Sequence, residues 1–428
     1  MADPIFSPDG KWMWAGSEWI PAPPSSSQSA NVNLQDSVVG GDINITQNNA
    51  EDIASAMVQA LERLGFSGQS SPSELSPAQE KEIEQVLELS EEIVEHGIEI
   101  DPWTEFALGN AAELAGRSHT AQQHYLRALD SFRKKTIHEG ELNSLQRLGI
   151  IARKRGDLNE AERLHKEAIS ISKDINSKEW MASNSVGLGA VARMKGDISE
   201  AVRLNSYGLE IFKQIGHRNG EADALSNLAG LAEMQGDWAE AGRFNQTILQ
   251  ISREIGDQFS EMNSLIGLGN YYVSLGDDLG AEQNYRDALA VAKSIGSKEG
   301  EINSYDGIGL IFSMRGNLQE QERISREVLD MVRLTGNRSR EADTLDSLGE
   351  IAEKKGQIDD AKRFHQESLS IYREIGDLSG ESGVLINLGI VASHEGNSDE
   401  MQRYWTEAIR IKRDLGLQID QWFIDNGY

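Results

Sequence analysis

Residues 220–259 read GEADALSNLAGLAEMQGDWAEAGRFNQTILQISREIGDQF. Ala224, Leu225, Leu228, Ala229, Leu231 and Ala232 recur at helical spacing, so the first half predicts a helix with one apolar face. Gly236 ends it, because glycine tolerates the left-handed backbone that closes a helix. Asp237 then offers an N-cap, with Glu240 three residues on, the spacing of a capping box. Ala241, Phe244, Ile248, Ile251 and Ile255 form the stripe of a second helix, which closes at Gly256-Asp257. Two helices joined by a tight Gly-Asp turn make a helical hairpin. Ala229 and Ala241, one on each helix, let the backbones approach closely.

The same pattern returns every 40 residues. Leu-Gly or a near variant stands at Leu108-Gly109, Leu148-Gly149, Leu188-Gly189, Leu228-Ala229, Leu268-Gly269, Ile308-Gly309, Leu348-Gly349 and Leu388-Gly389. The turn glycine recurs at Gly116, Gly156, Gly196, Gly236, Gly276, Gly316, Gly356 and Gly396. The Asp/Asn-x-x-Glu cap recurs at Asp157/Glu160, Asp197/Glu200, Asn317/Glu320 and Asn397/Glu400. A period of this length predicts an array of stacked units. Eight hairpins across residues 100–419 follow, with no insertion. Two units depart from the pattern: Gln321 and Met401 stand where the others carry Ala, which predicts looser packing there. Arg117 replaces the capping Asp/Asn of the first unit.

These residues resemble the tetratricopeptide repeat family, whose signature joins Leu and a small residue in helix A to an Ala early in helix B. A large residue follows four later, and another Ala three after that. The positions here are Leu108, Gly109, Ala121, Tyr125 and Ala128 in the first unit, and Leu148, Gly149, Ala161, His165 and Ala168 in the second. The 40-residue unit resembles the long-helix branch found in G-protein-signalling modulator adaptors. The resemblance implies an all-α fold: a right-handed superhelix, an α-solenoid of about eight helical hairpins whose helices A line a concave groove. It implies a non-enzymatic scaffold or adaptor that binds a peptide or protein segment there. The alternative is a regulator whose superhelix closes on a peptide.

Carried onto this chain, the family's groove positions fall first on Trp103, Phe106, Asn110, Asn143, Gln146, Arg153, Lys154 and Arg193. The middle supplies Asp223, Asn227, Glu233, Asn263 and Asn270. The C-terminal part supplies Asn303, Asp306, Asp343, Asp346, Glu350, Glu353, Lys354 and Asn387. Basic groups gather in units two and three, and acidic ones in units six and seven.

The net charge is −28, and residues 1–99 hold 17 Asp/Glu against 3 Lys/Arg. Such acidity opposes a phosphate backbone and favours basic segments in a protein partner; nucleic acid is not expected. The chain has no cysteine, which excludes disulfides and thiolate chemistry. No cofactor, metal or catalytic motif is found: Gly187-Leu188-Gly189 and Gly307-Ile308-Gly309 lack a third glycine and fall at the helix-packing position. His165 and His365 share one repeat position, the mark of packing. No run reaches the length of a membrane span, and no secretory signal opens the sequence, so a cytoplasmic protein is expected.

Before the array, residues 1–24 form a Trp-rich hairpin module and 25–49 a linker with a short β-hairpin over 31–46. Residues 50–76 are an amphipathic helix and linker, and 77–99 an acidic capping helix. An isolated hairpin is marginal in water, so residues 31–64 are expected to self-associate. Residues 420–428 carry Trp422, Phe423 and Ile424, expected to cap the last repeat.

Overall fold

The computed structural model describes residues 12–14, 19–21, 50–66, 75–95 and 97–426. The chain divides into two compact units, Met1–Gly196 and Asp197–Tyr428. The first holds the strands β1 (Trp12–Trp14) and β2 (Trp19–Pro21) and the helices α1 (Ala50–Arg63), α2 (Pro77–Glu95), α3 (Pro102–Leu114), α4 (Ser118–Lys135), α5 (His138–Lys154), α6 (Leu158–Asp174) and α7 (Lys178–Met194). The second begins with α8 (Ile198–Ile215), α9 (Arg218–Met234), α10 (Trp238–Ile255), α11 (Gln258–Ser274), α12 (Asp278–Ile295) and α13 (Lys298–Met314). It ends with α14 (Leu318–Thr335), α15 (Arg338–Lys354), α16 (Ile358–Ile375), α17 (Leu378–His394), α18 (Ser398–Asp414) and the single turn α19 (Gln421–Asp425).

The described array is all-helical, built from repeated hairpins. Hairpins α3–α4 and α5–α6 lie within the first unit; α9–α10, α11–α12, α13–α14, α15–α16 and α17–α18 lie within the second. The third repeat has its two helices, α7 and α8, on either side of the boundary between the units. The β-hairpin expected in the N-terminal region is not supported as an element of the fold. Among the described residues only Trp12–Trp14 and Trp19–Pro21 pair, three residues against three, too short for independent stability. The hairpin read over 31–46 lies outside the described residues.

The turn chemistry explains the sharp punctuation. Between α9 and α10, Gly236 sits at φ +75°, and its N–H bonds the Glu233 carbonyl at 2.9 Å. The N–H of Asp237 reaches back to the Ala232 carbonyl at 2.9 Å, which satisfies two otherwise orphaned acceptors. The Asp237 carboxylate then accepts from the Glu240 N–H at 3.0 Å, so one residue closes one helix and caps the next. Asp157, Asp197, Asn317 and Asn397 cap in the same way, at 3.0–3.2 Å. The Glu of each motif also meets the Arg three residues on: Glu160–Arg163, Glu200–Arg203, Glu240–Arg243 and Glu320–Arg323. Arg117 provides no side-chain cap.

Packing follows the small-residue rule. A methyl added at Gly109, Gly149 or Gly349 would collide with the Tyr125, His165 or His365 ring of the facing helix B. His165 and His365 are buried, as packing residues should be. Successive hairpins are tied by a repeated ion pair. An Arg in the last turn of helix B reaches a Glu eight residues on, in the first turn of the next helix A. The pairs are Arg133–Glu141 at 2.9 Å, Arg253–Glu261 at 2.7 Å, Arg333–Glu341 at 2.9 Å and Arg373–Glu381 at 2.6 Å.

At the start of the array α2 lays Ile83, Val86 and Ile93 into one core with Phe106 and Leu108 of α3. Its acidic face is partly neutralised by arginines, through Arg63–Glu82, Arg117–Glu84 and Arg127–Glu91. At the other end Trp422 and Phe423 of α19 meet the Trp405 ring edge-on, at 5.3 and 5.5 Å.

Candidate functional site

Helix A of each repeat buries its Leu-Gly edge, and outside the first repeat the position two before Leu, as at Gln146, Asp306 and Asp346, is left at the surface or at its margin. In the first unit this edge carries Asn143 and Gln146, both half-buried, and Arg153 with Arg193. Burial and the neighbouring Arg193 charge press the Arg153 guanidinium below its usual range, so the two arginines form one basic locus. Lys154 is exposed and pairs with Glu113 at 3.1 Å. Asn143 donates to the Glu139 carbonyl at 3.0 Å. Asn110 is buried, and its amide oxygen accepts from the Tyr125 hydroxyl at 2.7 Å; Phe106 is buried too. Those two side chains serve packing, because the ring of Tyr125 needs a polar seat for its hydroxyl. Trp103 stacks edge-on against Phe132, with centroids 4.7 Å apart.

In the second unit Asn263 and Asp223 are exposed, and Asn227 and Asn303 half-buried. Burial pushes the Glu233 carboxyl above its usual range. Asn270 repeats the role of Asn110, accepting from the Tyr285 hydroxyl at 2.7 Å. The acidic residues of repeats six and seven are gathered, but with partners. Asp306 pairs with Arg340, Asp343 accepts from the Tyr372 hydroxyl, and Asp346 lies 2.6 Å from His365 Nδ1. Asn387 donates to both Asp346 oxygens at 3.1 and 3.2 Å. Glu350 is exposed, 3.9 Å from Lys354, and Glu353 lies 3.8 Å from His394.

One opening lies beside the helix A positions of repeats six and seven. A cavity of about 560 Å³ lies among α13, α14 and α15, bounded by Asp306, Gly309, Gln321, Ser325, Arg340 and Ser347. The Gln321 departure lies in it, where looser packing was expected. Ser325 and Arg340 escaped sequence reasoning. The signal for Ser325 was available, since at the 40-residue pitch its counterparts are Tyr125, His165, Asn205, Asn245, Tyr285, His365 and Trp405.

Among the described residues no cluster of His, Cys, Asp and Glu could hold a metal ion. No described helix is long and apolar enough to cross a membrane.

Two tetratricopeptide repeat family models match, one over residues 101–174 and 220–294, the other over 342–375. No curated protein sequence matches the chain. Among solved structures, the chain resembles the Signal Transduction ATPase with Numerous Domains protein PH0952 from Pyrococcus horikoshii, which has a tetratricopeptide repeat sensor. The two are 15% identical, with 95% of this chain and 58% of that one covered, at a TM-score of 0.63. The apo form of the quorum sensor NprR from B. thuringiensis is 14% identical over 85% of this chain and 99% of its own, at 0.57. A Rap protein complexed with Competence and Sporulation Factor is 12% identical over 86% and 99%, at 0.51. Identities this low speak to fold alone, and they agree with the family models and the hairpin geometry: the chain is a tetratricopeptide repeat protein.

Proposed function

We propose that this protein is a non-enzymatic interaction module that holds an extended segment of a protein partner along the helix A faces of its repeats. One observation carries the reading. The leucine, turn and cap positions of the frame repeat every 40 residues, whereas surface positions of helix A do not: one column reads Ser183, Asp223, Asn263, Asp343 and Gly383, and another Ile150, Gly230, Leu310 and Glu350. A frame that repeats while its surface varies is what selective binding needs. The acidic side chains of repeats six and seven favour a basic stretch of the partner, and the Arg153–Arg193 locus an acidic one. The asparagines can donate to and accept from the backbone of an unpaired peptide. Self-association through residues 31–64 belongs to the same proposal.

The test is an array of 15-residue peptides, basic and acidic, probed with the full chain and with a Glu350→Lys/Asp343→Lys variant. Basic peptides should bind preferentially and lose about tenfold in affinity on charge reversal, with the melting temperature reported alongside. Equal binding of basic and acidic peptides by both proteins would overturn the reading. A peptide-responsive regulator is the second reading, supported by the fold shared with the quorum sensor NprR. It predicts that a bound peptide lowers the radius of gyration in solution scattering.

A further inference from the structure

The sixth repeat lacks the ring that fills the first, second, fifth, seventh and eighth hairpins. In the fifth, Tyr285 of α12 lies between Gly269 of α11 and Gly307 of α13; a methyl on Gly269 would collide with its ring, and one on Gly307 would come within 2.5 Å. The equivalent seat in the sixth repeat lies between Gly309 and Ser347, and the residue facing it is Ser325. No ring is there: the only neighbour a methyl on Gly309 would meet is Ile324 Cγ2, at 3.5 Å. The missing bulk is not restored elsewhere, since the cavity of about 560 Å³ occupies this place.

The walls are unlike those of a packing defect. A void lined by apolar atoms stays dry and costs only lost contacts. Here Gln321, which replaces the usual Ala, has its Oε1 buried with no hydrogen-bond partner among the described residues. A buried acceptor left alone is costly and calls for a donor. The cavity opens toward the helix A face: Asp306, Asp343 and Ser347 on its lining are exposed, as is Leu310, at 46%. Leu310 itself stands where Asn110 and Asn270 hold the hydroxyl of their own tyrosine. The sixth repeat has therefore lost the ring and the group that served the ring's hydroxyl, and has gained a buried acceptor one helical turn before Ser325.

We propose that this seat is a pocket for a tyrosine side chain of the bound peptide. The ring lies between Gly309 and Ser347, as Tyr285 lies between its two glycines, and its phenol O–H is directed at the Gln321 amide, which lines the cavity. Asp343 at the mouth favours a lysine or arginine beside that tyrosine, whereas Asp306 is already paired with Arg340. The source of the side chain rests on the peptide-binding reading above; the pocket's preference for a phenol does not.

The test uses the full chain and free amides: N-acetyltyrosinamide, N-acetylphenylalaninamide and N-acetylalaninamide, followed by ligand-observed NMR. A single anchored side chain should bind at about millimolar strength, with the alanine amide about tenfold weaker and phenylalanine weaker than tyrosine. Ser325→Tyr puts back the residue of repeats one and five. It should abolish binding of the tyrosine amide and raise the melting temperature. Gln321→Ala puts back the residue of six other repeats. It should keep binding and erase the difference between tyrosine and phenylalanine. The proposal falls if the wild-type chain shows no saturable binding of the tyrosine amide, or if Ser325→Tyr binds it equally well. Because the amides report the pocket alone, that result leaves the peptide-array test of the wider surface independent.

Discussion

The fifth and sixth repeats have the same helix lengths, the same positive-φ turn glycines and the same kind of cap, yet one is filled and the other hollow. In the fifth, Tyr285 is 1% exposed between two glycines, with its hydroxyl on Asn270. In the sixth, Gly309, Ser325 and Ser347 surround open space. The frame therefore does not depend on a ring in every seat. Caps, turns and the leucine edge hold the hairpin, and the ring position is free to vary.

Tyr285→Ser should give the largest effect, because it would make the fifth repeat resemble the sixth. Opening such a cavity costs about 3–5 kcal/mol, whereas Ser325→Ala should change stability by less than about 0.5 kcal/mol. Chemical denaturation of the full chain, with hydrogen exchange to localise the loss to α11–α13, measures both; similar costs at the two sites would erase the distinction. Next comes the glycine pair. Gly269→Ala drives a methyl into the Tyr285 ring and should cost about 1–3 kcal/mol. Gly309→Ala meets nothing closer than 3.5 Å and should stabilise by about 0.5–1 kcal/mol through helix propensity. A destabilised Gly309→Ala protein would mean that the sixth hairpin closes up in solution.

Tyr285→Phe should cost about 1 kcal/mol through the lost bond to Asn270. It also has a pH signature. Burial pushes the Tyr285 hydroxyl from 10.0 up to about 12, so the folded state holds its proton longer than the unfolded chain does. The stability this adds is complete below pH 10 and is lost as pH rises toward 12. Tyr285→Phe should flatten that decline, while Ser325→Ala leaves it unchanged. The smallest contrast is a control. Asp277→Ala and Asn317→Ala each remove one cap, bonded at 3.0 and 3.2 Å, and should cost about 1 kcal/mol alike. A large difference between them would show that the cavity also weakens the turn.

Much of this was readable from the chain because repetition averages out local ambiguity. One Gly-Asp pair is a weak turn signal; the same pair at a constant pitch is a strong one, and Asp157, Asp197 and Asp237 cap where the sequence places them. The surface was less legible, because a position on a helix does not say what the side chain has already bonded. Asn110 and Asn270 look like recognition residues in sequence and are spent on tyrosine hydroxyls. Asp343 and Asp346 are acidic in sequence and already engaged by Tyr372, His365 and Asn387. Ser325 was overlooked for a different reason: an absent ring leaves no motif, and only column-by-column comparison of the repeats exposes it. The Arg–Glu pairs between hairpins, eight residues apart and periodic, were equally available.

Those pairs have a consequence for how the chain could be edited. Remove residues 258–297, and Asp257 becomes the N-cap of α13 in place of Ser297. Arg253 then stands eight residues before Glu301, the spacing it has to Glu261 now. The turn, the cap and the ion-pair spacing at the new junction are ones the molecule already uses. The array can thus be shortened by a whole hairpin without designing a new turn, a new cap or a new ion pair, and the number of its repeats becomes a quantity set by counting.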